Sequence, residues 1–188
     1  APDGRRIQVG WGRISHPGMP FNGMMLLPTE LSLRTTKNGV RLFSNPIAEV
    51  DLLTDHAQKF TKEMSGDEAN EAINNRYRDE ELLRVSFTLS LSHATSAGID
   101  FKGQNLIDYD MNSNTINGVL YSPEELTSME LSAVLYIDKT SVEIYFDDGA
   151  FSRSFERKTN DENKGFHFWG NNITVKDLSV STLKSIWN

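Results

Sequence analysis

The strongest constraint on what this chain can fold into lies in its second half, where short stretches alternate apolar and small polar residues two by two. Val85, Phe87, Leu89 and Leu91 are interleaved with Ser and Thr, and the same beat returns over residues 106–110, 131–137, 142–146, 151–155, 166–169 and 173–183. A period of two sends successive side chains to opposite faces, which is the mark of a strand buried on one side. Between the stretches stand turn dipeptides: Ala97-Gly98, Lys102-Gly103, Asn117-Gly118, Asp148-Gly149 and Gly170-Asn171. Many short strands punctuated in this way predict an all-β fold of antiparallel sheets, a sandwich or a barrel.

The first half reads differently. Arg5 to Trp11 alternates long polar and apolar residues like a strand, breaks at Gly12, and runs into the turn-rich His16-Pro17-Gly18-Met19-Pro20. Asn38-Gly39 sits between two apolar runs and is the clearest hairpin signal in the chain. Asn45-Pro46 stops the second run, because proline cannot donate to a ladder. The spacing of Val50, Leu53, Ala57 and Phe60 predicts a short helix from Ala48 to about Phe60. Residues 67–78 are polar with Ala69, Ala72, Ile73 and Tyr77 on one side, a surface helix or a long loop with helical content. The expected boundary therefore falls near Asn45-Pro46, dividing the chain into residues 1–45 and 46–188. About 45 residues of hairpins cannot bury their own apolar faces. They either add strands to the sandwich or pack on a neighbouring domain; in the second case Arg5 to Trp11 lacks partners within the chain, and an apolar patch stays open around Ile7, Val9, Trp11 and residues 24–27.

Length and charge narrow the function. With 188 residues and a net charge of −7, the chain holds one domain, or one domain with a short appendage. Its acidity argues against a nucleic-acid partner, which calls for a basic face. No run reaches the 18 or so apolar residues of a membrane span, and no signal-peptide pattern opens the chain. The absence of Cys excludes disulfides, thiolate metal sites and cysteine nucleophiles. Opening at Ala1-Pro2-Asp3 rather than Met reads as a processed or cut piece.

Few residues invite chemistry. Asp79-Glu80-Glu81, Glu124-Glu125 and Asp147-Asp148 are adjacent carboxylates, but neighbours on a strand point to opposite faces and do not bracket a ligand. Asp147-Asp148-Gly149 reads as a hairpin turn. His16, His56, His93 and His167 share no ligand spacing, and the Asp-rich loop from Asp108 places Ser113 and Val119 where a calcium loop needs Gly and Glu. No metal or cofactor is expected. No G-x-S-x-G, P-loop or G-x-G-x-x-G occurs. In Phe166-His167-Phe168-Trp169, Phe166 and Phe168 fit core positions, whereas Trp169, with Asn171 and Asn172 nearby, fits either core or a sugar-stacking platform. Asn172-Ile173-Thr174 matches the glycosylation triplet, a pattern common by chance.

Two segments together carry a resemblance. Arg5-Arg6-Ile7-Gln8-Val9-Gly10-Trp11, followed by Phe21-Asn22-Gly23-Met24-Met25-Leu26-Leu27-Pro28-Thr29-Glu30-Leu31-Ser32-Leu33-Arg34, resembles the Gly-Trp strand and W/F-x-G-x-M-x-L-P-x-E-L run of glycoside hydrolase family 32, the invertases, levanases and inulinases. Asn45-Pro46-Ile47 stands where the family has its Pro-Ile or Pro-Val. The stretch from Ile137 to Gly149 resembles the family's D-x-S-S-V-E-V-F-x-x-D-G strand pair.

The resemblance implies a five-bladed propeller followed by a β-sandwich of two antiparallel sheets, jelly-roll or concanavalin-like, preceded here by a short helical segment. On that reading residues 1–45 are the remnant of the last blade and its linker, and residues 46–188 are the sandwich. The family's catalytic carboxylates sit in W-M-N-D-P-N-G, R-D-P and E-C motifs. None is present: Asp79 lies in Arg78-Asp79-Glu80, and no Cys exists for E-C. The resemblance thus implies no catalytic residue in this chain and no hydrolysis by it alone. Its partners would be the propeller of the same polypeptide and a fructan or sucrose-type carbohydrate, in a secreted or periplasmic setting. Trp11, matching the aromatic near the family's sugar pocket, and Trp169 are the candidate substrate-binding residues. A stand-alone, lectin-like carbohydrate-binding module is the competing expectation.

Overall fold

The computed structural model describes residues 1–15, 20–91, 94–121, 129–158, 160–161 and 164–185. The turn expected at His16-Pro17-Gly18-Met19, His93 and Glu124-Glu125 lie outside the described residues.

The N-terminal strands are β1 (Arg6–Gln8), β2 (Trp11–Gly12), β3 (Met24–Met25), β4 (Thr29–Thr36) and β5 (Gly39–Pro46). After a 3-10 turn at Ala48–Leu53 come β6 (Gln58–Lys59), β7 (Met64–Ser65) and helix α1 (Gly66–Tyr77). The remaining strands are β8 (Leu83–Ser90), β9 (Ser96–Phe101), β10 (Gln104–Asp110), β11 (Thr115–Ile116), β12 (Val119–Leu120), β13 (Glu130–Ile137), β14 (Ser141–Phe146), β15 (Phe151–Glu156), β16 (Phe166–Gly170) and β17 (Thr174–Thr182). The larger sheet runs β15-β14-β13-β8-β17-β6, with β7 also on β17, and the smaller runs β12-β11-β10-β9-β16. All pairings are antiparallel, and the two sheets enclose one core. The architecture is a sandwich; the barrel alternative falls.

The period of two is visible residue by residue. Along β8, Leu83, Val85, Phe87 and Leu89 are buried while Arg84, Ser86, Thr88 and Ser90 face out. From the facing sheet Ile99, Phe101, Ile107, Phe166 and Phe168 meet them, with Phe168 edge-on to Phe87 at 5.3 Å between ring centroids. Phe166 and Phe168 are thus core residues, as their alternation indicated.

Helix α1 starts where its chemistry allows. The Ser65 hydroxyl accepts from the Glu68 backbone N–H, and the Glu68 carboxylate accepts from the Ser65 N–H. The Ser65 N–H, together with Lys62 Nζ at 2.9 Å and the Ser65 hydroxyl, holds the Glu68 carboxyl down at about 2. Ala69, Ile73 and Tyr77 form its buried stripe. On the same side, one turn apart, Asn70 and Asn74 do something the periodicity does not announce. The Asn70 amide donates to Phe168 O (3.1 Å) and accepts from Phe168 N (2.6 Å). Asn74 repeats the pair with Phe166 O (2.8 Å) and Phe166 N (2.7 Å). Two side-chain amides therefore stand in for a neighbouring strand along the free edge of β16, the end strand of its sheet. Gly165 makes room, since a Cβ there would lie 1.9 Å from Asn74 Oδ1.

Three expectations are corrected. The turn expected at Ala97-Gly98 is instead part of strand β9, where Gly98 pairs with Asp108 and Trp169. The helix foreseen from Ala48 to Phe60 stops at Leu53, because residues 58–59 gain more as strand β6 on β17. Arg5 to Trp11 also has partners within the chain: β1 pairs with β4, Ile7 opposite Glu30, and Trp11 faces Met25.

Replacing Asn70 or Asn74 by Ala is expected to cost about 1–3 kcal/mol of unfolding free energy each, because a buried backbone pair loses its partner. Hydrogen exchange should show the Phe166 and Phe168 amides opening first; unchanged protection there would mean the edge is covered in another way.

Candidate functional site

The N-terminal strands form a separate three-stranded sheet, β1-β4-β5, and a two-stranded ribbon, β2-β3. The β4-β5 hairpin turns through Lys37 and Asn38 into Gly39, whose φ of +107° suits a residue without Cβ. Because register fixes the faces, Leu33 stands opposite Leu42 and Val40 follows two residues along, all on one side. That side is open: Leu33 is 73% exposed, Val40 66% and Leu42 54%. Ile7, Val9, Trp11, Phe21 and Met25 are exposed as well. For a sheet, a bare apolar face marks a surface that something covers. The patch expected from sequence at Ile7, Val9, Trp11 and residues 24–27 is therefore present in part. Met24, Leu26 and Leu27 are half-buried, Leu26 because it lies against Gly10 and Gly12. Leu33, Val40 and Leu42 were missing from that expectation, although their spacing across the hairpin places them on one face.

The opposite side grips the sandwich. Arg34 covers the buried Phe43 ring at 4.4 Å and pairs with Asp148, while the Asn45 amide donates to Asp148 O at 2.7 Å. Asp147, one residue earlier, turns the other way and accepts from Tyr121 OH and the Ser132 N–H. The Asp147-Asp148-Gly149 turn is confirmed, and it also rivets the two sheets together. Gly149, at φ +84°, lets Ser44 O approach where a Cβ would meet it at 2.6 Å. Farther along, the Arg5 fork holds both carboxylate oxygens of Glu49, keeping that carboxyl at about 2.

Between N-terminal layer and sandwich lies a cleft of about 860 Å³, lined by Val9, Met25, Leu27, Val50 and Leu183. At its base is a carboxylate that sequence reading passed over, Glu143, only 4% exposed. It accepts from the Leu27 N–H at 3.0 Å and from Tyr145 OH at 2.9 Å. Burial raises its pKa above the ordinary 4.5, and those two hydrogen bonds offset part of the rise. With its oxygens so engaged, Glu143 anchors the linker backbone. Its place inside the resembling strand pair was legible; its burial was not.

Trp169 lies on the outer face of the smaller sheet. Its indole covers Gly98, where a Cβ would come within 2.4 Å of the ring, and its N–H donates to Asp100 Oδ1 at 3.3 Å. Asn105 donates to the same carboxylate oxygen at 3.0 Å, and His167 Nδ1 lies 3.4 Å from Asp100 Oδ2. Trp11 is far more open, 64% exposed. The structure does not bring the two tryptophans together: they belong to different sheets. His56 stands in solvent beside Asp55, and Asp110 is spent on Asn112 N and Ser113 Oγ. Among the described residues no group of three His, Asp or Glu could hold a metal ion, and no helix is long and apolar enough to cross a membrane.

No family model matches the chain. The levanase of Bacillus subtilis (strain 168) is 21% identical over 215 residues, covering 98% of this chain and 32% of that protein. Among solved structures, the exo-inulinase of Aspergillus awamori aligns with a TM-score of 0.66 at 14% identity, over 96% of this chain and 41% of that one. A glycoside hydrolase family 32 structure from Bifidobacterium adolescentis aligns at 0.53 and 17% identity, over 99% and 30%. The fold is thus one found in an exo-inulinase and in a glycoside hydrolase family 32 protein, and the resemblance to glycoside hydrolase family 32 is borne out. The chain spans about a third of the length of that levanase.

Three outcomes follow from this geometry. A raised carboxyl pKa means the folded state holds its proton more tightly than the unfolded chain does. The contribution of Glu143 is therefore most favourable below pH 4.5 and is lost as pH rises through its folded value. Glu143→Gln, which keeps an acceptor without the buried charge, should flatten that decline in urea titrations across pH 4 to 8. Glu143→Ala should lose about 1–3 kcal/mol, since the Leu27 N–H is left unpaired. Gly98→Ala should cost about 1–3 kcal/mol through overpacking against Trp169 and the Ile107 carbonyl, read out by thermal melts.

Proposed function

We propose that this chain is the non-catalytic β-sandwich portion of a fructan-hydrolysing glycosidase, levanase- or inulinase-like, that packs on and stabilises a catalytic propeller. Residues 1–45 are then the last strands of that propeller with its linker, and residues 46–188 the sandwich. The observation that carries this reading is the open apolar face of the N-terminal sheet, Leu33, Val40 and Leu42, on a layer whose other side is riveted to the sandwich. Likeness to a levanase along 98% of the chain supports the same assignment. The rest of the propeller would cover that face and bring its own nucleophile and acid; Trp11 would border the sugar pocket. A polysaccharide substrate goes with a secreted or periplasmic setting.

A second reading, a free-standing carbohydrate-binding module, draws on the outward Trp169 indole with Asp100 and Asn105 at its edge.

Two measurements separate these readings. The purified 188-residue chain should release no fructose from levan, inulin or sucrose above a buffer blank. In its source cells, an antibody against it should detect a polypeptide about 25 kDa or more above 21.2 kDa, the mass of five blades of about 40–50 residues. Fructose release, or a band at 21.2 kDa itself, would overturn the first reading.

A further inference from the structure

On the outer face of the larger sheet, away from Trp169 and sharing Tyr136 with the Glu143 cleft, lies a second concavity of about 380 Å³. Its floor is set by the outward residues of β8 and β13, Ser86 and Thr88 beside Ser132, which are short. Taller groups rise around them: Arg84 and Tyr136 at one end, Asp51 from the 3-10 turn, and Asp148 at the rivet between the sheets.

Two side chains in it are held in place yet left with unused hydrogen-bonding capacity. Arg84 is fixed through Nε, which donates to Tyr136 OH at 3.3 Å and lies 3.8 Å from Asp51 Oδ1. Its two terminal amino groups make no hydrogen bond among the described residues, and the guanidinium carbon lies 5.8 Å from the Tyr136 ring centroid. Asp177 is the complement. It sits at a β-bulge in β17, between Lys176 and Ser179, with φ of +51°. A bulge re-aims a side chain, and a non-glycine residue held left-handed in the middle of a central strand is a cost the fold tolerates for some purpose. Its nearest cation in sequence, Lys176, is drawn off to Glu130 at 3.0 Å and Glu63 at 3.7 Å. The Asp177 carboxylate consequently has no partner among the described residues.

A fixed donor fork, a free acceptor and a floor of hydroxyls make a surface that reads hydroxyl groups, which both give and take hydrogen bonds. Asp51, Asp148 and Asp177 outnumber Arg84, so a phosphate or other anion is disfavoured. We propose that this groove binds a neutral oligosaccharide segment, with Arg84 donating to and Asp177 accepting from sugar hydroxyls. That the sugar is a fructan rests on the function proposed above. The groove would hold the polymer on the sandwich, apart from the bond being cleaved.

The test is affinity electrophoresis of the whole chain through gels containing levan, inulin or, as a contrast, a β-glucan. Retardation by a fructan is expected. It should fall about tenfold or more in apparent affinity in Asp177→Gly, because a charged hydrogen bond is lost. The same replacement relieves the left-handed backbone, so its melting temperature should hold or rise, which separates lost binding from lost folding. Arg84→Lys, keeping charge but not the fork, should weaken binding too, whereas Trp169→Ala should not. Retardation by β-glucan alone, sensitive to Asp177→Gly, upholds the groove and removes the fructan assignment. No retardation by any polymer, or retardation abolished by Trp169→Ala and indifferent to Asp177→Gly, overturns the proposal.

Discussion

Everything in this molecule depends on keeping the inner faces of two sheets dry. Leu83, Val85, Leu89, Ile99, Leu131 and Ile144 have essentially no exposed surface, and they come from strands far apart in the chain. Burial of this kind is non-directional and would tolerate several arrangements of the same strands. What selects one is polar. β16 needs its outer edge satisfied, and Asn70 and Asn74 satisfy it with paired amide bonds. The helix thereby acts as a strand by proxy, closing the smaller sheet while its apolar stripe roofs the core.

The second constraint is the attachment of the N-terminal layer. It rests on few contacts, but each is specific. The Asp147-Asp148 turn divides its two carboxylates between sandwich and N-terminal sheet, and Glu143 holds the linker backbone from below. Burying Glu143 raises the energy of its charged form, so the anchor persists because the Leu27 N–H and Tyr145 hydroxyl recover part of that cost. One side of the layer is therefore committed to the sandwich. The other side stays apolar and open, an arrangement that makes sense for a surface joining two larger bodies.

Aromatic residues illustrate how little type alone decides. Phe168 and Trp169 are neighbours on one strand, yet Phe168 is core and Trp169 lies flat over Gly98 outside it. The glycine and the indole explain each other: the bare backbone leaves room for the ring, and the ring covers an otherwise unpacked position. Trp11 also lies against a glycine, Gly23, where a Cβ would come within 2.5 Å of its ring, yet most of the indole stays exposed. Its exposure belongs to the same open surface as Met25, the residue facing it.

Local sequence settled the class of fold, because alternation is a local property: a residue two places along always returns to the same face. It also determined the Asn38-Gly39 hairpin, the Asp148-Gly149 turn and the α1 stripe, all of which follow from backbone preferences of neighbouring residues. The tertiary structure alone decided the rest. Whether residues 54–60 become helix or strand turned on β17 being within reach. The partners of Arg5 to Trp11, the burial of Glu143, the asparagine amides on β16, and the placing of Arg84 and Asp177 around one concavity all join positions distant in sequence. Such contacts are set by which edges and faces remain unsatisfied after the core has closed, and no local pattern of residues carries that information.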